Sequence, residues 1–237
     1  MTAAFFAYTY RFFYDLNYVI SSRVEDWAHF GTYFSGILGP ILNFLTIILL
    51  VYSMDMQLDA NKALREDLEE NKKNEKIRNF ESLFFNMLDR QHSSFSTMNV
   101  VLIEDGEDIK YFGSEAVSKI EEIVEGLIGA DVSSERIIEI IEKIDSHDGI
   151  YSQFRCFYLA INFIEEYLSQ GNGFNELERK KYYKALINFT EYSQVRVMAM
   201  FLQFMFQRYE NVKAVRNNKE FEEVFVDCGL GFDIYKK

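Results

Sequence analysis

The amino-acid sequence predicts an all-α protein: an N-terminal transmembrane helix, a charged helical stalk and a C-terminal soluble helical bundle. Two observations lead to this prediction. The chain of 237 residues contains a single proline, where about 5% is usual, and long helices suit that composition better than a turn-rich β protein does. A run of 28 uncharged residues, from Trp27 to Met54, lies near the N-terminus. The expected divisions are a membrane region over 1–54, a stalk over 55–79 and a helical domain over 80–237.

The uncharged run is long enough to cross a lipid bilayer. As a helix, its part from residue 30 to residue 54 would extend about 37 Å at 1.5 Å per residue, and a hydrocarbon core is about 30 Å thick. From Ile41 to Tyr52 it is apolar on almost every face, whereas a buried core helix is normally shorter and one-sided. It also starts late for a signal peptide and lacks a basic opening stretch and a small-residue cleavage site. We therefore expect 30–54 to be a transmembrane helix that is retained.

The first twenty residues are rich in phenylalanine and tyrosine. Arg11 and Asp15 lie one helical turn apart among these aromatic residues, a pattern typical of a helix at a membrane interface. An interfacial or partly inserted helix is expected here, and a second full span, which would make a helical hairpin with 30–54, is the alternative.

The basic residues on either side of the run predict its orientation. More of them follow the run than precede it, which favours the C-terminal side in the cytoplasm and the chain in the inner membrane. The residues counted are Arg11 and Arg23 before the run and Lys62, Arg65, Lys72 and Lys73 after it.

Small and polar residues recur every four positions within the run: Gly31, Ser35, Gly39 and Asn43. At this spacing they lie along one helix face, where a second helix can approach closely and an asparagine can hydrogen-bond across the contact. We expect this face to pack against another copy of the chain, the N-terminal segment or another protein. The single proline, Pro40, falls within the face and is expected to kink the helix.

The residues from 55 to 79 are almost entirely polar and charged. Considered by themselves, Leu58, Leu64 and Leu68 are too few to predict a sustained coiled-coil seam. A solvated helix that continues the membrane helix is therefore expected.

Beyond residue 79 the apolar residues recur at helical spacing. Residues 99–113 break that period and indicate a loop or a small hairpin. Ser114 and Ser133 are expected to cap the two helices that follow. The uncharged stretch Val197–Gln207 is too short to span a membrane and is expected to be the central core helix. The other helices are expected after the break at 146–149, near 175–192 and near 218–227.

Composition and motifs exclude several function classes. The net charge of −12 argues against nucleic-acid binding, which needs clustered Lys and Arg. Two cysteines exclude a disulfide scaffold and a multi-cysteine zinc site, and no phosphate- or dinucleotide-binding motif is present. We expect no cofactor, metal ion or defined active site. A hydrolase site assembled from Arg155, His92 and His147 is one alternative. Because apolar residues surround Arg155, a buried carboxylate or a binding pocket is expected beside it.

Several blocks of the chain together resemble a bacterial phage abortive infection protein family. The block from residue 30 to residue 46 is similar to the membrane signature of that family, and three blocks and a C-terminal match follow in order, covering about residues 25–207. The resemblance implies a membrane-anchored component of antiphage defence and no known reaction. A tethered scaffold or regulator of a separate effector is the other alternative. The blocks are 80–88, 113–116 and 151–158, and the C-terminal match is Tyr182-Tyr183 followed by an apolar helix at 195–206.

Two positions depart from the family pattern. Gly39 stands where members usually have asparagine before the proline, and 186–190 replaces a block that in the family carries an arginine and is followed by a glutamate. No role tied to those two charged residues is carried over to this chain.

Overall fold

The structure is a computed structural model that describes residues 6–7, 9–15 and 21–235. The interpretation of residues 1–20 as an interfacial helix or a second span therefore falls largely outside the described residues. Within them, Tyr10–Asp15 forms one short π-helical segment, in which the rings of Tyr10 and Tyr14 stack with centroids 6.1 Å apart.

The chain divides into two units, Met1–Lys72 and Lys73–Lys237. The longest element, helix α1 (Val24–Thr97), begins in the first unit and ends in the second. Its start is fixed locally, because the Ser21 hydroxyl accepts from the Arg23 backbone N–H at 3.0 Å and the Trp27 indole donates to the Ser21 carbonyl at 2.9 Å. In the first unit no residue of α1 is buried.

Within its described residues the second unit contains the end of α1, one β-hairpin, seven further α-helices and a short 3₁₀ helix, Gln170–Asn172. The hairpin strands are β1 (Asn99–Glu104) and β2 (Glu107–Phe112). The helices are α2 (Gly113–Gly129), α3 (Ser134–Ile144), α4 (Gly149–Tyr167), α5 (Glu176–Phe189), α6 (Tyr192–Phe204), α7 (Glu210–Arg216) and α8 (Lys219–Asp227).

Helix α6 lies in the core of the second unit and confirms the prediction of a central apolar helix. Every residue of α6 from Val197 to Leu202 is buried, although the helix ends at Phe204 rather than at residue 207. The end of α1 adds an aromatic layer, because the Phe80 ring stacks on Phe163 at 5.1 Å and meets the Tyr182 ring edge-on at 4.8 Å. Aromatic pairs in these geometries add to the stabilisation that area burial provides.

The structure is mostly helical, with 78% helix and 5% strand, so the all-α prediction holds except for the hairpin. Residues 99–113, for which a loop or small hairpin is expected, form β1 and β2, with Glu104 opposite Glu107. The two turn residues, Asp105 and Gly106, have φ of 52° and 86°. Positive φ at both central positions is the type I′ geometry that matches the twist of paired strands.

Two local predictions about helices need correction. Ser133 caps α3 as expected, accepting from the Arg136 backbone N–H. Ser114 does not cap α2, which already begins at Gly113 and has no side-chain cap. The short helix α7 is absent from the sequence-based prediction, because its seven residues are fewer than the apolar period needs to be recognised.

Candidate functional site

The exposed apolar part of α1 is the most unusual surface of the described chain. Among the residues that the structure describes, one helix, α1, is long and apolar enough to cross a membrane, and no residue of its most apolar 18-residue stretch is buried. Large exposed apolar surfaces on a protein indicate contact with a membrane or a partner. The side chains that form it include Ile41, Leu42, Phe44, Leu45, Ile47, Ile48, Leu49, Leu50 and Val51.

The polar groups of this helix divide into two kinds. The Thr32 hydroxyl donates to the Ala28 carbonyl at 2.9 Å and the Thr46 hydroxyl donates to the Leu42 carbonyl at 2.8 Å. Such bonds satisfy a hydroxyl inside its own helix. The Ser35 hydroxyl and the Asn43 amide have no hydrogen-bond partner within residues 21–235. In hydrocarbon an unpaired amide is costly, so Asn43 favours contact with a second polar group.

The predicted contact face around Asn43 is open in the structure. Apart from the adjacent residues and the backbone of α1 itself, no described atom lies within 4 Å of the place where a Cβ would stand on Gly31 or Gly39, and Ser35 and Asn43 are exposed. Helix α1 continues through Pro40. Residues 6–7, 9–15 and 21–235 therefore leave this face uncovered, and its role in helix contact stays a prediction.

The second unit contains a buried network of two side-chain amides and a hydroxyl, which the sequence did not predict. Gln153 of α4 is 2% exposed and Gln194 of α6 is 1% exposed. The Gln194 side-chain amide donates to the Gln153 Oε1 at 3.2 Å, and the Gln153 amide donates to the Ser94 hydroxyl at 2.9 Å. The sequence signal for this network was a glutamine at a position where α4 and α6 otherwise place apolar core residues.

This network borders an open cleft of about 390 Å³ between the end of α1, the hairpin and the start of α4. Ser94 and Gln153 line its inner side, and Asn99, Lys110 and His147 line the rest. Beside the cleft, the Asp145 carboxylate accepts hydrogen bonds from the backbone N–H groups of Ile150 and Tyr151. These N–H groups at the start of α4 therefore already have an anionic partner. Burial raises the pKa of Asp145.

Gln194→Met is expected to lower the free energy of unfolding by about 1–3 kcal/mol, because it leaves the buried Gln153 Oε1 without a donor. The double variant Gln153→Met/Gln194→Met is expected to recover much of that loss, since it removes both polar partners together. Urea unfolding of the detergent-solubilised full chain, followed by near-UV circular dichroism of its tyrosines, measures both. A double variant that is less stable than Gln194→Met, rather than more stable, would contradict the network.

A histidine, a carboxylate and two serines meet where α1, α2 and α6 come together. The His92 Nδ1 lies 3.1 Å from the Glu191 carboxylate, and the Ser114 hydroxyl donates to the same carboxylate at 3.2 Å. The hydroxyl oxygens of Ser114 and Ser193 are 2.8 Å apart. The carboxylate thus lies between the imidazole and the serine, whereas nucleophilic catalysis needs the imidazole bonded to the serine. This arrangement joins the helices and does not activate a nucleophile.

The residues of the alternative hydrolase site have separate surroundings. His92 pairs with Glu191, while His147 contacts the Ser146 hydroxyl and lines the cleft. The expectation of a buried partner for Arg155 is wrong, because Arg155 lies on the exposed side of α4. Its neighbours in sequence are core residues, but Arg155 lies on the other side of the helix, and its side chain faces solvent.

Two charge clusters among the described residues of the second unit are absent from the sequence-based prediction. Arg179 donates to both carboxylate oxygens of Glu220, at 2.8 and 2.7 Å, and to the Leu168 carbonyl at 3.2 Å. The signal was the position of Arg179 on the apolar face of α5, three and four residues before Tyr182 and Tyr183. The Arg179 hydrogen bonds hold the pKa of Glu220 below its usual value.

The second cluster joins α2, α6 and the C-terminal segment. Arg196 pairs with Glu121 at 2.8 Å, and the Tyr235 hydroxyl donates to the same carboxylate at 2.9 Å. Burial raises the pKa of Glu121, against the Tyr235 hydrogen bond and the Arg196 charge, which lower it. The Gln203 side chain also bonds the backbone N–H and carbonyl of Tyr235, at 2.9 and 2.6 Å. These contacts hold the C-terminal segment on α6.

In the described ranges, 6–7, 9–15 and 21–235, no group of three or more His, Cys, Asp or Glu side chains is arranged to hold a metal ion. Comparison with known proteins adds no family assignment: no family model, curated protein or solved structure matches the chain.

Proposed function

We propose that this protein is a membrane-anchored component of bacterial antiphage defence. The apolar segment 30–54 crosses the inner membrane, and the second unit lies in the cytoplasm. The observation that supports anchoring is the uncovered apolar surface of α1, of which the most apolar window has no buried part. The resemblance of the sequence blocks to the abortive infection family supports the defence role, and the basic residues that follow the span support the orientation.

Association of membrane helices is the step by which the anchor acts in this proposal. Without a hydrophobic drive in lipid, helices associate through close packing of small residues and hydrogen bonds. Gly31, Ser35 and Gly39 offer the close approach, and the unpaired Asn43 amide offers the hydrogen bond. An infection signal received by the second unit, directly or through a partner, shifts this association and perturbs the membrane or recruits an effector.

The second unit serves as the sensing or partner-binding part. It carries most of the negative charge of the chain, since residues 73–237 contain 28 acidic and 20 basic side chains and so contribute −8 of the total −12. Such a surface suits a protein partner with basic groups and disfavours nucleic acid.

The proposal predicts that the double substitution Ser35→Leu/Gly39→Leu abolishes protection in cells that express the gene and are challenged with phage. The leucines prevent close helix approach without reducing apolarity, so membrane fractionation is expected to stay unchanged. Efficiency of plating is expected to rise to that of cells without the gene. Ser35→Ala/Gly39→Ala keeps both side chains small and is the matched control, with protection expected to persist.

Two outcomes would contradict the proposal. Unchanged protection by the leucine variant would show that this helix face takes no part in the mechanism. Recovery of the wild-type protein in the soluble fraction removes the membrane anchor. If the gene alone gives no protection while its complete operon does, the chain is instead a scaffold or regulator of a separately encoded effector.

A further inference from the structure

The exposed surface of α1 continues without a break from the apolar run into the charged segment, because both belong to one helix. This continuity joins two sets of apolar side chains, one before Asp55 in the uncharged run and one after it in the charged segment. Counted together with the polar residues between them, these side chains are spaced alternately three and four residues apart, which is the seven-residue repeat of a coiled coil. We call these positions the stalk seam: Ile47, Leu50, Met54, Gln57, Asn61, Leu64, Leu68 and Asn71.

We propose that the stalk seam is the interface with a second copy of this chain, packed in parallel and in register. The five apolar side chains of the seam are between 49% and 60% exposed. Leu64 and Leu68 lie in the polar segment, where contact with water favours their burial. Of the three leucines that were too few by themselves, Leu64 and Leu68 become part of a longer repeat once the apolar residues before Asp55 are counted in the same register, whereas Leu58 lies outside the seam.

The polar members of the seam favour a second copy over an unrelated helix. The Asn61 side-chain amide donates to the Gln57 carbonyl of its own helix at 2.8 Å, and its oxygen has no donor among residues 21–235. In a parallel, in-register pair each seam asparagine meets its counterpart, and a polar residue at such a position specifies register and oligomer state. Asn43, seven residues before Leu50, continues the repeat into the open membrane face.

The charges that flank the seam are complementary between two parallel copies. In this register Asp67 of one copy faces Lys72 of the other, five residues further along the chain. The preceding flanking pair is Ala60 with Arg65, so no like charges meet. The parallel orientation rests on the proposed function, because two copies inserted in the same membrane in the same way must run in the same direction.

Cysteine cross-linking of the full chain in native membranes tests the seam. In a background of Cys156→Ser and Cys228→Ser, the single variants Leu64→Cys and Leu68→Cys place a thiol on the seam. Glu66→Cys, between them on the opposite helix face, is the matched control. Under mild oxidation with copper phenanthroline, both seam variants are expected to give a disulfide-linked band of dimer mass, several-fold stronger than that of the control.

Equal cross-linking at all three positions, or none at any of them, would overturn the proposal. A linked band whose mass differs from the dimer would also overturn it by identifying another protein as the occupant. Each variant is compared in amount and fractionation with the parent chain. If the chain is recovered in the soluble fraction, the membrane proposal fails. Cross-linking at positions 64, 66 and 68 is then compared in that fraction, so the seam is tested independently of the membrane anchor.

Discussion

Phe84→Ala is expected to lower the free energy of unfolding of the second unit by about 3–5 kcal/mol, the usual cost of removing a buried phenylalanine. The Phe84 side chain is fully buried, and its ring stacks on Phe80 at 5.5 Å and meets Tyr182 edge-on at 5.8 Å. An alanine leaves a cavity that these large rings fill poorly. Because natural domains are stable by about 5–15 kcal/mol, this change removes a large fraction of the total.

The next residue along the helix supplies the matched control. Phe85 is 42% exposed, and Phe85→Ala removes the same atoms from a surface that water already reaches. Urea unfolding of the detergent-solubilised full chain, followed by near-UV circular dichroism of the tyrosines, measures both variants. The single tryptophan, Trp27, lies in the first unit and does not report on this core. Equal losses for the two variants would contradict the packing of α1 into the second unit.

Arg179→Met is expected to destabilise the second unit by about 3 kcal/mol at pH 7, because it leaves the Glu220 carboxylate without its cation. The figure is at the low end for a buried pair, since the Glu220 side chain keeps 32% exposure, against 11% for Arg179. Glu165 lines a surface cleft together with Arg179 and Glu220, and burial, followed by the charge of Glu220, raises the pKa of Glu165. The variant therefore leaves two carboxylates close together with no arginine between them.

The loss caused by Arg179→Met is expected to depend on pH. Arg179 holds the pKa of Glu220 below its usual value in the folded chain. The stabilisation from this pair is therefore complete above the unfolded-state pKa, about 4.3, and disappears as the pH falls through the lowered folded-state pKa. The difference in unfolding free energy between wild type and variant is expected to be largest near neutral pH and to shrink in acid.

Lys180→Met tests whether the loss of stability expected for Arg179→Met depends on the burial of the ion pair. Lys180 is adjacent to Arg179 and also reaches α8, pairing with Glu223 at 2.6 Å, but its partner is 64% exposed. Exposed pairs contribute little to stability, so we expect no measurable change. A loss as large as that of Arg179→Met, or a pH-independent loss for Arg179→Met, would argue against a buried ion pair as the cause.

Local patterns predicted most of the elements of this protein. The apolar run near the N-terminus, the helical spacing from Phe80 onward and the cap at Ser133 depend on residues within one or two turns of each other, and the structure agrees with them. The alternative of a hairpin near residue 106 was confirmed for the same reason, since a turn with positive φ at Asp105 and Gly106 is a local property. Helix α7 was missed because seven residues give too short a period.

Contacts between distant elements decided the candidate site. Gln153 and Gln194 are 41 residues apart, as are Arg179 and Glu220, and no local pattern pairs them. Ser114 appeared to be a helix cap and instead bonds Glu191 and Ser193. Arg155 appeared buried from its neighbours and is exposed, because burial depends on which side of α4 packs against the core.

The sequence by itself therefore determined where the chain is apolar, where it is charged and which segments are helical, because side-chain periodicity is read along one chain. Only the tertiary structure decided which polar groups meet and which are left without partners. It paired Arg179 with Glu220 and Gln153 with Gln194 inside the second unit. It also left the stalk seam and the face around Asn43 uncovered, because the described chain folds no other element onto that part of α1.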